Sequence, residues 1–459
     1  MAFFQFFFVP LQPINHNFSK MKQTMKVFFA IALTYLFCSS TLAQTVRSEL
    51  QEEANRAAGI YYALPVPVRQ ADTPPDGKKP FYINHYGSPA SYYQEEAAAY
   101  EAPYATLAKA DSLGKLTTLG RNVLQKVNQI RLDAKDRYGE LTTKGTRQAR
   151  AMMLRRVESI PDMFVTGGYY SAMSAMHNHC IQTMDESMLQ LAGLRRPLRM
   201  GIRSSQGQVR FMDPEDKLLV SQRTDSLTLA RYADFKARHT DDTRLMASLF
   251  NDSTYIKSNI NTSALSRQLF VLAGCVQHTD LTSTISLYDI FTPEEIHNHW
   301  LKQNAWHYIS YGGYTINGGY QAYLQRSLLR NMMHMGDSAI KRVYPMVHMR
   351  YTHENVVMSL ACLMELDGYG LHTDSLDALE EKGWADYRIA PLGGSIEMIH
   401  YRSDFDDKDV LVKVLLNGRE VRLPIPTDCP PYYHWQDVKH YYLRKLYRYE
   451  NVRFTQKTK

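Results

Sequence analysis

The sequence predicts an α/β protein: a sheet flanked by helices, with an inserted α-helical lobe. Three observations predict it. Short apolar runs, Phe81-Tyr82-Ile83 and Tyr344 to Tyr351 among them, suit buried strands. Helical periodicity resumes after such runs, as with Val356, Leu360 and Leu363 behind the second one. From 213 to 300 the pattern is polar and helical with no strand signal, which marks an added helical layer.

The elements follow in order. A strand over 80–86 ends at Gly87-Ser88-Pro89. An Ala-rich helical stretch covers Glu95 to Leu113. Thr142 to Ile160 reads as an amphipathic helix, with Met153, Val157 and Ile160 on one face, Thr142 or Thr143 as its cap and Pro161 as its stop. Another helix runs from about His179 to Leu194, with Met184, Met188 and Leu191 together. Near the end, "VLVKVLLNGREVRLPI" reads as a hairpin turning at Asn417-Gly418, a dipeptide suited to a type I′ turn. The expected division is an approach segment over 44–78, an α/β domain from 79–200 and 300–445, and a helical lobe over 201–299.

At the amino end, Met21 to Ala43 has Lys22 and Lys26, an apolar run from Val27 to Phe37, and small residues before Gln44. That is the layout of a cleavable secretory signal, too short in its apolar run to span a membrane comfortably. Residues 1–43 are therefore expected to be a signal peptide cleaved near Ala43, with Met21 or Met25 as the true start and the product secreted or periplasmic. Cleavage removes Lys20, Lys22 and Lys26, lowering the formal charge from +7 to +4. No basic stripe with interleaved aromatics is present, so nucleic acid is excluded as a partner. Charged residues make up 22% without long single-sign tracts, and 44% are hydrophobic, which argues for a folded chain with a large core. Four cysteines remain, Cys180, Cys275, Cys362 and Cys429. They allow two disulfides in three connectivities, although buried free thiols suit a chain of this size better. Their wide spacing fits no zinc ribbon.

Two strand-to-helix junctions, 85–93 and 351–356, carry chemically distinctive residues, and ligands of α/β folds gather at such places. The first, "FYINHYGSPASYY" (Phe81 to Tyr93), resembles the opening strand and loop of histidine acid phosphatases, in particular the bacterial multiple inositol polyphosphate phosphatase and phytase branch, whose loop reads H-Y-G-R-H-G-S-R-Y. In the same order, "YGELTTKGTRQARAM" resembles the branch's G-E-L-T-x-x-G-x-x-Q helix start, and "HCIQTM" its R-C-x-x-S-M helix. "NAWHYISYGGYTINGGY", "MRYTHENVVMSLACLMELDGYG", "VLVKVLLNGREVRLP" and "PYYHWQDVKHYY" resemble later segments, so the likeness spreads over roughly residues 80 to 445.

The resemblance implies a histidine-phosphatase-like sheet and a phosphomonoester chemistry. A histidine forms a phosphohistidine, two loop arginines, a third from the next segment and a second histidine neutralise the phosphoryl oxygens, and an acid protonates the leaving group. Carried over, the nucleophile's place holds Pro89, the first loop arginine is Ser88, the glycine is Ala90, and the second loop arginine is Tyr92, with Ser91 between them. The third arginine's place falls at Met173, and no arginine occurs from Val165 to Gly193. The His-acid pair remains, as His353 and Glu354.

Proline has no side-chain lone pair for attack, and losing one pre-organised donor alone costs about 10²–10³ in rate. The expected protein is therefore a catalytically lapsed phosphatase that retains binding of a phosphorylated small molecule such as an inositol phosphate, with no cofactor. The alternatives are a working phosphomonoesterase rearranged around His353 or His85, and a glycan- or partner-binding protein using Tyr82, Tyr92 and Tyr93. His85 is expected to be a packing residue. His177, His179 and His353 suggest a metal site that helical spacing argues against, because an i, i+2 pair on a helix faces two directions. No metal is expected.

Overall fold

The computed structural model describes residues 45–68, 72–194 and 198–457; the expected signal peptide at 1–43 lies outside them. The main sheet is built from β1 (Lys79–Gly87), β2 (Tyr169–Ser174), β3 (Arg199–Ser204), β4 (Met346–Tyr351), β5 (Ser395–Arg402), β6 (Leu411–Leu416), β7 (Arg419–Glu420) and β8 (Tyr433–His434). Its order is β8-β6-β5-β1-β4-β2-β3, with β7 paired to β6. β1, β4, β2 and β3 run parallel, while β5, β6 and β8 form the antiparallel side.

The long helices are α1 (Ala98–Ser112), α2 (Thr118–Ala134), α3 (Thr143–Ser159), α4 (Asn178–Leu194), α5 (Ser226–Arg238), α6 (Thr262–Val276), α7 (Pro293–Tyr311), α8 (Arg326–Ile340), α9 (Glu354–Leu363) and α10 (Trp435–Lys457). Alternation along the strands sorts them onto two faces. Ile83, Val347, Met349 and Ile399 join Met153, Val157, Met184 and Leu191 of α3 and α4. Tyr82, Tyr86, Ile396 and Met398 join Leu328, Met332, Val357, Leu360 and Tyr442 of α8, α9 and α10. With both faces covered, β1 is buried from Pro80 to Gly87.

A separate apolar cluster gathers Leu107, Val123 and Val127 of α1 and α2 with Leu269, Phe270 and Trp300 of α6 and α7. The helical layer thus draws on residues 98–134 as well as on the later stretch. Local chemistry explains the clearest ends. Thr142 caps α3 by accepting from the Gly145 amide. Asn417 and Gly418 take φ of 54° and 77°, as a type I′ turn requires. β7 beyond that turn has two residues, because the chain leaves the sheet after Glu420. Among the described residues Cys180, Cys275, Cys362 and Cys429 are unpaired, and the first three are buried. Among the described residues no helix is long and apolar enough to cross a membrane.

Candidate functional site

The parallel pairing puts three strand exits side by side. Gly87 and Ser174 are both in register with Tyr351, so the loop after β1, the approach to α4 and the start of α9 meet at one end of the sheet. The first loop is held on every side. Ser88 donates its amide to Gly394 O (2.9 Å) and its hydroxyl to Pro391 O (2.5 Å). The Ala90 amide donates to Thr183 Oγ1 (3.0 Å), and the Ser91 amide to Gln148 Oε1 (2.9 Å). The Ser91 carbonyl accepts from the Thr142 amide. The start of α3 comes so close that a Cβ on Gly145 would sit 1.9 Å from Ser91 O. An anion cradle needs free N–H groups pointing at the ligand. Here the amides of 88, 90 and 91 are committed to protein, and position 89 has none.

Tyr92 fills the space beyond. Its ring stacks on the His179 imidazole, 4.1 Å between centroids and 14° from parallel, and meets Tyr61 edge-on at 6.1 Å. His353 caps the start of α9 in extended backbone, and its Nδ1 lies 3.4 Å from His179 Nε2. Glu354, the first residue of α9, is 3% exposed with Oε1 unpartnered. Burial pushes its carboxyl up to about 8, against the pull of its own amide and the Tyr92 hydroxyl, so it holds its proton at neutral pH. Burial, reinforced by His353 and His177, holds the His179 imidazole down at about 3. His353 is lowered by burial and then by His177. The site therefore presents neutral imidazoles and a neutral acid where a phosphate pocket needs fixed cations.

Met173 stands apart. It lies on β2 in register with Arg350 and packs into the core on the α8–α10 face, and the side chain against Tyr92 is His179. His85 is 2% exposed on β1, 5.4 Å from the Tyr351 ring, beside the buried Arg156–Glu397 pair. The three tyrosines weighed as a stacking platform are each about 5% exposed or less. Tyr82 is enclosed by His348 and His400, and the Tyr93 hydroxyl donates to Asp133, so they form no open face.

Of two further features, the sequence suggests the first, the histidine trio, but its spacing argues against it, and it gives no signal of the second. His177 precedes α4 rather than lying on it, so it is free to turn toward His179 and His353; one nitrogen of each falls within 4.8 Å of the others. Glu95 Oε1 lies 3.4 Å from His177 Nδ1 and 3.5 Å from His179 Nδ1. The second feature is a cavity of about 830 Å³ beside the loop, with Tyr61 on its wall. Lys236, Arg267 and Lys302, from α5, α6 and α7, line it with Tyr232 and Trp306, against one acid, Asp242. Burial lowers Lys302 while Asp242 opposes the shift. An excess of cations with aromatic walls suits an anionic ring-shaped ligand.

No protein-family model and no curated protein sequence matches the chain. Solved structures do. Multiple inositol polyphosphate phosphatase from Bifidobacterium longum, in complex with inositol hexasulfate, aligns with a TM-score of 0.67 at 12% identity, over 84% of this chain and 97% of that one. The same enzyme in complex with phosphate aligns equally well. The phytase from D. castellii aligns at 0.64 and 13% identity, over 85% of this chain and 84% of its own. At these identities the likeness is one of fold: the chain's mixed sheet flanked by helices is the histidine acid phosphatase fold.

Proposed function

We propose that this protein is a secreted or periplasmic relative of the inositol polyphosphate phosphatases that binds a phosphorylated small molecule and no longer hydrolyses it through a phosphohistidine. The observation that carries this reading is the loop. Pro89 stands in the nucleophile's place, and the neighbouring amides of Ser88, Ala90 and Ser91 are spent on Gly394, Thr183 and Gln148. Tyr92 and His179 fill the space a phosphoryl group would need. Binding is assigned instead to the adjacent cavity, where Lys236, Arg267 and Lys302 face a volume suited to a polyphosphorylated ring. The resemblance supplies the ligand class. Thermal melting in the presence of inositol hexakisphosphate tests it. A ligand at 100 times its Kd stabilises by about 2.7 kcal/mol. Stabilisation without phosphate release supports the reading; release that stops in His353→Ala sinks it.

A further inference from the structure

His177, His179 and His353 are arranged as more than leftovers. Both His177 and His179 turn Nδ1 toward one carboxylate oxygen, Glu95 Oε1, at 3.4 and 3.5 Å. That orientation leaves their Nε2 atoms free for another partner. His179 Nε2 lies 3.4 Å from His353 Nδ1, and a tetrahedron with zinc–nitrogen bonds of ~2.0–2.1 Å has edges of about 3.3 Å. His177 Nε2 lies 3.9 Å from Asp213 Oδ2. Asp213 is held there by its neighbours, because the Tyr86 hydroxyl donates to Phe211 O and the Thr352 hydroxyl to Met212 O.

We infer that His177 Nε2, His179 Nε2 and His353 Nδ1, with Asp213 beside them, form a binding site for one divalent transition-metal ion of the zinc class. A single hydrogen bond between His179 and His353 would account for two of the rings. It leaves unexplained why a third imidazole closes on them and why Glu95 faces both outer nitrogens. A carboxylate behind the histidines is the usual way of fixing tautomer and ring direction for a metal. The His179 side chain is 1% exposed and its Nδ1 lacks a full hydrogen-bond partner, so it is an expensive group to bury for packing alone. The His177 side chain is 39% exposed, which gives an ion its way in. The starts of α4 and α9 bring partial positive charge that disfavours a cation, and the Glu95 and Asp213 carboxylates offset it. Three imidazole nitrogens select zinc, cobalt, nickel or copper over magnesium or calcium. This site is independent of the cavity and of whether a phosphorylated ligand binds there.

The test is titration of the chelator-stripped protein with zinc alone by calorimetry, and with cobalt alone by visible absorption. One ion per chain is expected, with cobalt giving the intense bands of a four-coordinate site. Glu95→Gln should weaken binding by about 10–100-fold. His179→Ala and His353→Ala should abolish it. His177→Gln, at a half-exposed side chain, should weaken it at least tenfold with the melting temperature of the stripped protein unchanged, which keeps the test decisive if the buried variants misfold. His434→Ala alters the separate surface group of Asp428, Cys429 and His434 and should leave binding intact. No zinc binding at micromolar concentration, or binding untouched by His177→Gln, or binding lost only in His434→Ala, would overturn the site.

Discussion

Truncating Tyr92 asks whether the loop after β1 is part of the core. The side chain is 5% exposed, stacks on His179, meets Tyr61 edge-on, and clusters with Ala90, Leu141, Ala149 and Leu392. Replacing a buried aromatic ring by alanine removes its transfer free energy and leaves a cavity, together about 3–5 kcal/mol. Of this, about 0.5–1.5 kcal/mol belongs to the ring stacking. Tyr92→Phe keeps the ring and loses the hydroxyl beside Tyr61 and Glu354, for about 0.5–1.5 kcal/mol. Urea unfolding reads both changes. With m on the order of 4 kcal/mol/M for a chain of this size, Tyr92→Ala should lower the midpoint by about 1 M and Tyr92→Phe by a few tenths. A loss below about 1 kcal/mol in Tyr92→Ala would refute the reasoning, because an open phosphate pocket tolerates truncation and a packed plug does not.

Other expectations follow from charge and burial. Arg267→Glu should weaken binding of inositol hexakisphosphate about five- to tenfold and flatten its salt dependence in calorimetry, since the cavity would lose one of its three cations. Glu397→Gln should cost about 3–5 kcal/mol in denaturant unfolding, because it strands the buried Arg156 guanidinium. Burial opposes ionisation of Glu397, yet Arg156 holds it down at about 2. This carboxylate's contribution is therefore complete above the unfolded value near 4.5 and lost as pH falls toward 2. His85, His278, His348 and His400 are buried and held at about 3 to 4, burial being the largest cause for each. Their unfolded forms take up protons below about 6.5, so stability should fall from pH 6.5 toward pH 4, by on the order of 1 kcal/mol per pH unit for each group. Melting temperatures measured across that range check it; a flat profile would contradict the burial.

Much of the fold is legible in the sequence because period and punctuation agree there. The helix capped at Thr142, the strand over 346–351 and the Asn417-Gly418 turn appear where pattern and turn chemistry place them. Less legible are β2, β3 and β5. "SIEMIHYR" in β5 carries Glu397 and His400 at buried positions, so its alternation is masked until Arg156 is seen beside Glu397. β3 has exposed and half-buried residues throughout, as an edge strand does. At the site, His353 and Glu354 stand out in sequence as a pair at a helix start. The convergence of His177 with His179 does not, because it depends on where α4 begins: one residue earlier and helical spacing would hold the rings apart. The cavity's cations come from three helices and share no spacing at all.

The proposed absence of phosphohistidine chemistry is tested most directly by phosphate release from p-nitrophenyl phosphate and phytate. The purified protein is assayed between pH 4 and 8 in the presence of EDTA, beside His353→Ala. With Pro89 in the nucleophile's place, as proposed, release should be no faster than in the His353→Ala control at every pH. Turnover in EDTA that disappears in His353→Ala would contradict the account, and would mean that a group other than Pro89 has taken over the attack.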